Sequence, residues 1–100
     1  MIRIKISTSE ILVEGHAYYG PDGYDIVCAA TSMLLQSLIA SLNEFTDDLI
    51  KYSLSKGSSY VNYKNDSSET DLLIRSFILG CSLLADEYPN HVKLAQELMA

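Results

Sequence analysis

The sequence predicts an α+β fold in which two helices pack on a mainly antiparallel sheet, in the order β-β-α-β-β-α-β. Three observations lead there. Short alternating or β-rich runs open the chain and recur in its middle. Two long segments carry apolar residues at helical spacing, and clusters of Gly, Pro, Asn, Asp and Ser punctuate the whole. Two amphipathic helices and a sheet cover one another's apolar faces most economically as layers. At 100 residues, 48% of them hydrophobic and 20% charged, the chain is expected to form one globular domain over residues 1–100.

In "IRIKI", Ile2, Ile4 and Ile6 alternate with Arg3 and Lys5, the period of a half-buried strand. "STSE" supplies a turn, and "ILVEG" a strand returning antiparallel that Gly15 ends. Residues 16–24 form a loop around the breaker cluster Gly20-Pro21-Asp22-Gly23. A helix is predicted from Ile26 to about Phe45, capped by Asp25, with Ile26, Ala30, Met33, Leu34, Leu38 and Leu42 as its stripe. Val27, Leu35 and Ile39 add apolar area outside that stripe, so this helix requires cover on more than one side. A second copy of the chain is one source of such cover. "LIKYSLSKGSSYVNYK" reads as a hairpin turning at Lys56-Gly57-Ser58. Ser67 or Ser68 caps a second helix over residues 69–88, with Leu73, Phe77, Gly80, Cys81, Leu84 and Tyr88 as its stripe and Pro89-Asn90 as its stop. "HVKLA" suits a last strand, while "VKLAQELMA" suits a short helix equally well.

Seven Lys and Arg against thirteen Asp and Glu give a net charge of −6. That weighs against nucleic acid as a direct partner, because neutralising phosphates requires clustered Lys and Arg; it is compatible with a basic polypeptide partner, and solubility alone is the more usual reading of such acidity. The longest apolar run, "IVCAATSMLLQSLIASL", is interrupted by Thr31, Ser32, Gln36 and Ser37 and falls short of the roughly 20 residues of a membrane span. "MIRIKIST" has the pattern of neither a signal nor a transit peptide. Two cysteines in that setting predict free thiols, a reducing interior and a cytoplasmic address.

Chemistry concentrates in "EGHAYYGPDGYDIVCAATS", residues 14–32. Counting from the Asp25 cap, Cys28 falls in the first helical turn, where backbone N–H groups lack helical partners and the macrodipole is positive. A helix N-terminus and a nearby imidazole both favour the anion of a thiol. The same N–H groups are candidates for an oxyanion hole. His16, at the end of the second strand, is within reach as base and later as acid, although a buried thiol and an unrelated surface imidazole satisfy the same pattern. Tyr18, Tyr19 and Tyr24 either line a substrate cleft or pin the loop to the body. Cys81, in mid-stripe, reads as a core thiol, and His91 is expected to face solvent. Two Cys and two distant His lack zinc spacing, and without a C-x-x-C there is no nearby resolving thiol. No metal or cofactor is expected.

"GHA", a short Gly-containing loop, "DIVCAA" and then Ser32 together resemble the bacterial ribosomal-processing cysteine protease Prp family. The likeness in element order extends over nearly the whole chain. It departs in the short "STSE" turn, in Ala30 where a Gly is frequent, and in a C-terminal end without a clear basic strand. The resemblance implies an α+β homodimer and a cysteine endopeptidase that removes the N-terminal extension of the twenty-seventh large-subunit ribosomal protein precursor, cutting behind an aromatic residue. Carried over by position, Cys28 is the nucleophile and His16 its base and acid, with Gly15, Asp25 and Ser32 in support. The loop from Gly20 to Gly23, mobile when empty, orders over the peptide beside Tyr18, Tyr19 or Tyr24. An alternative of another class is a binding or assembly module that recognises the same ribosomal segment without cutting it. Thiol-based redox sensing at Cys28 is a third.

Overall fold

A computed structural model describes residues 1–97. β1 (Ile2–Ile6), β2 (Glu10–Glu14), α1 (Ile26–Phe45), β3 (Lys51–Ser53), β4 (Ser58–Asn62), α2 (Ser68–Glu87) and β5 (Val92–Gln96) follow the predicted order. The last segment is a strand rather than a short helix, and its tail, residues 98–100, lies outside the described residues.

The strands form one sheet in the order β3-β4-β2-β1-β5. Its β1–β2, β2–β4 and β3–β4 pairings are antiparallel. The fourth is parallel, with Ile2 opposite Val92 and Ile4 opposite Leu94, so the sheet is mixed. That pairing follows from α2, which carries the chain back across the sheet so that β5 runs beside β1 in the same direction.

Register places Ile4 opposite Val13, and Ile11 opposite both Ile6 and Val61, on one face. These side chains meet both helices in a single core, and Ile4, Ile11, Val27, Leu42 and Val61 are sealed from solvent. Burying an aliphatic side chain of this size contributes about 1.5–3 kcal/mol. Arg3, Lys5 and Lys93 point from the opposite, solvated face.

α1 buries Val27, Thr31, Leu35, Leu38, Ile39 and Leu42. Ile26 and Met33, placed in the stripe by the sequence reading, are exposed. A helix apolar around its circumference carries little phase information, and the phase here brings Thr31 inward, where its hydroxyl donates to the Val27 carbonyl at 2.9 Å. Contrary to the expectation of no membrane-length segment, α1 is long and apolar enough to cross a bilayer by length and composition. It packs against α2, and its buried side chains join those of the sheet in one core. In α2 the stripe holds at Phe77, Cys81 and Leu84, joined by Thr70 and Ile74. Ser67 is its cap, accepting from Thr70 N–H and donating its hydroxyl to Asp48 at 2.6 Å.

Candidate active site

Where β2 ends, the Gly15 N–H donates to the Gly57 carbonyl at 2.9 Å, which ties the strand end to the β3–β4 turn. Gly15 has φ +93°, and a Cβ there would strike the carbonyl of Met1, so no other residue fits without a shift. The chain then delivers His16, half-buried, onto the turn. A methyl group on Gly57 (φ +82°) would lie 2.9 Å from the His16 Nε2, so the imidazole rests on that glycine.

The residues after His16 are folded back onto the start of α1. Ala17 is buried, and its N–H donates to the Cys28 Sγ at 3.5 Å. Tyr18 adopts φ +54°, the left-handed region rarely used by a side-chain-bearing residue. The Tyr19 and Gly20 N–H groups donate to the Asp25 Oδ2 at 2.9 and 3.1 Å. The Val27 and Cys28 N–H groups donate to its Oδ1 at 3.0 and 3.1 Å. One carboxylate thus caps α1 and anchors the loop. Partial desolvation opposes its ionisation, but the Gly20, Cys28, Tyr19 and Val27 amides outweigh this and hold it below the ordinary aspartate value. The two first-turn N–H groups proposed from sequence as an oxyanion hole are therefore already engaged, and the Ala29 N–H is bonded to the Asp25 carbonyl.

His16 and Cys28 line one open cleft of about 660 Å³, together with Gly15, Asp25, Ser32, Tyr18, Gly20 and Gly23. Among the described residues no hydrogen bond joins the imidazole to the sulfur. Lys56 reaches across the cleft mouth to Asp22 at 2.8 Å. Its hydrogen bond and charge lower the Asp22 carboxyl, and the lysine is raised in turn, chiefly by that hydrogen bond, with a smaller contribution from the Cys28 sulfur. The pair is exposed, so it adds little stability.

The three tyrosines divide. Tyr18 lines the cleft, Tyr24 is 83% exposed, and Tyr19 packs edge-on against Tyr88 and His91 at 5.1 and 5.2 Å. His91 does not face solvent as expected: it is half-buried, with Nδ1 2.9 Å from the Ala17 carbonyl. Cys81 is fully buried, and burial pushes its thiol up to about 12. The sequence reading missed Lys56, Gly57 and the serines beside them as cleft residues. Their only signal was the register that sets Glu14 opposite Ser58. No group of three or more His, Cys, Asp or Glu suited to a metal is gathered among the described residues.

The profile of the family described as cysteine protease Prp matches residues 1–93. The ribosomal processing cysteine protease Prp of Mycoplasma genitalium is 29% identical over 99 residues, covering 97% of each chain. Its counterpart from Staphylococcus aureus is 24% identical over 89 residues, covering 86% of this chain and 84% of its own. The crystal structure of an essential S. aureus Prp with a covalently linked product peptide superposes with a TM-score of 0.90 at 21% identity, over 97% of this chain and 100% of that one, and shows that the fold is shared. A match along nearly the full length, on a fold that gathers a thiol and an imidazole into one cleft, places the chain in the cysteine protease Prp family and makes it a cysteine peptidase.

Proposed function

We propose that this peptidase removes the N-terminal extension of the twenty-seventh large-subunit ribosomal protein precursor, in the cytoplasm, with Cys28 as nucleophile and His16 as base and acid. The observation that carries the assignment is the Ala17 N–H aimed at the Cys28 sulfur, from the residue next to His16, in a cleft open to a peptide. A neutral N–H donor stabilises developing anionic sulfur. The ribosomal substrate comes from what the related proteins are named for.

The thiol proton passes to His16 as the sulfur attacks the scissile carbonyl carbon, whose π electrons move to oxygen. Collapse of the tetrahedral adduct expels the amine, which takes the proton from His16 and leaves an acyl-thioester on Cys28. Water, deprotonated by the same imidazole, attacks the thioester and releases the carboxylate product and the thiol. Ser32, one turn beyond Cys28, offers a hydroxyl to the bound peptide, and the segment from Gly20 to Gly23 covers it.

The working unit is proposed to be a homodimer. Leu72, Leu79 and Leu83 support this: they are exposed and share one stripe of α2 by their spacing, an apolar face of the kind that self-association covers.

The test is direct. Wild-type protein and Cys28→Ala are incubated with purified precursor and the products weighed by mass spectrometry. Wild type should yield the shortened protein and a free extension peptide, and Cys28→Ala should yield neither while keeping its thermal transition. Cleavage by the variant overturns the mechanism. An intact precursor held in a stable complex by wild type points instead to a binding module.

A further inference from the structure

The second histidine takes no part in the reaction as written, yet it is built into the site. His91 follows the Pro89–Asn90 turn that closes α2. Its own backbone is fixed at both ends: its N–H donates to the Tyr88 carbonyl at 2.9 Å, and its carbonyl accepts from the Ile2 N–H at 2.9 Å. The imidazole is therefore carried on a platform that joins the end of α2 to β1. A carbonyl only accepts, so the Nδ1 that lies 2.9 Å from the Ala17 oxygen must carry a proton and donate.

Ala17 is thus held from both sides. Its oxygen receives the His91 Nδ1–H, and its N–H is given to the Cys28 sulfur. The next residue, Tyr18, sits at φ +54°, a conformation that persists only where its surroundings over-determine it. The Tyr19 ring wedged against His91 and Tyr88 adds a second constraint on the same segment.

We propose that His91 is a positioning residue for the nucleophile: its Nδ1–H fixes the Ala17 peptide, and so keeps the Ala17 N–H on the Cys28 sulfur and His16 at the cleft. The proposal rests on Cys28 being the nucleophile. It assigns the effect to the donated proton rather than to the aromatic ring, and two substitutions separate these. Asparagine offers Nδ2–H as many bonds from the backbone as Nδ1 of histidine but has no ring. Phenylalanine keeps a ring and has no donor.

Wild type, His91→Asn, His91→Phe and Cys28→Ala are compared for kcat and KM on a peptide spanning the precursor cleavage site, for the iodoacetamide labelling rate at Cys28, and for Tm. His91→Phe should lower kcat at least about fivefold with KM within about twofold, and slow labelling of Cys28, while His91→Asn restores both. Wild-type kcat and labelling in His91→Phe, or equal losses in both variants, overturn the donor role. Should His91→Phe not fold, His91→Gln replaces it, since its donor lies one bond further out and should fail where asparagine succeeds. Cleavage by Cys28→Ala defeats the catalytic reading itself. An inactive Cys28→Ala beside a fully active His91→Phe defeats only the positioning role.

Discussion

Asp25 commits both of its oxygens to backbone, Oδ1 to the Val27 and Cys28 amides and Oδ2 to those of Tyr19 and Gly20. Asparagine is as good a helix cap as aspartate but has only one acceptor oxygen. In Asp25→Asn the helix keeps its cap, and the amide NH₂ faces the loop donors. The expected result is a small change in Tm and at least about a tenfold fall in kcat/KM on the precursor peptide, the loop half of the site being lost. An unchanged kcat/KM would mean that the loop anchor is dispensable. Asp48 offers a cleaner view of pH. The Ser67 hydroxyl first, and the Thr70 hydroxyl second, hold its carboxyl below the usual 3.8. A group depressed on folding contributes stability above its unfolded value, and that contribution is lost as pH falls from there through the folded value. Tm of wild type should therefore decline below about pH 4, and Asp48→Asn should have a lower Tm at neutral pH with a shallower acid limb. Parallel acid limbs would remove Asp48 from the account. At this scale Cys28, His16 and Asp25 were legible because a cap, a thiol and a strand end lie within one short segment. Lys56 and His91 were not, since distant segments bring Lys56 to the cleft and His91 to the Ala17 carbonyl, and nothing beside them in sequence marks this.

The strand register, rather than any local motif, completes the cleft. β4 lies against β2 with Ser58 opposite Glu14, so the turn before β4 is delivered beside the residues that follow β2. Gly57, at φ +82° beneath the His16 ring, is the result. Gly57→Ala meets two obstacles, a backbone conformation costing about 1 kcal/mol for an L side chain and a contact at 2.9 Å with the imidazole. The first is a modest loss of stability, and the ring must move to relieve the second. We expect a urea midpoint only modestly lower, with kcat/KM reduced at least about tenfold. Full turnover in that variant would show that His16 needs no such seat. The elements themselves could be read from sequence, because β1 alternates cleanly and both helices begin at recognisable caps, Asp25 and Ser67. The facing of α1 could not. With Ile26 and Met33 as apolar as Val27 and Leu35, only the partners decide which side turns inward. The parallel seat of β5 was hidden for a related reason: pairing partners are a property of the sheet, and "HVKLA" contains nothing that selects β1.

For the molecule as a whole, a net charge of −6 acts with opposite sign on the two associations proposed for it. Two like copies repel at long range, while a ribosomal precursor, basic because it must bind RNA, is drawn in. Salt screens both forces, with a Debye length of about 10 Å at 0.1 M, and leaves apolar contacts at Leu72, Leu79 and Leu83 intact. Raising NaCl from about 50 to about 300 mM should therefore tighten the dimer in sedimentation velocity and lower kcat/KM for the full precursor, while a short neutral substrate shows the first effect without the second. Leu79 is 63% exposed, so Leu79→Glu leaves the core untouched and sets a like charge against its counterpart across the proposed interface. That variant should keep its Tm at low protein concentration and sediment as a monomer at every salt. A dimer that survives it lies on another face. If cleavage of the neutral peptide falls together with the dimer, each cleft depends on its partner copy. If cleavage is unchanged, the site built from the end of β2, the loop after it, the β3–β4 turn and α1 is complete within one chain, and pairing serves to cover an apolar helix.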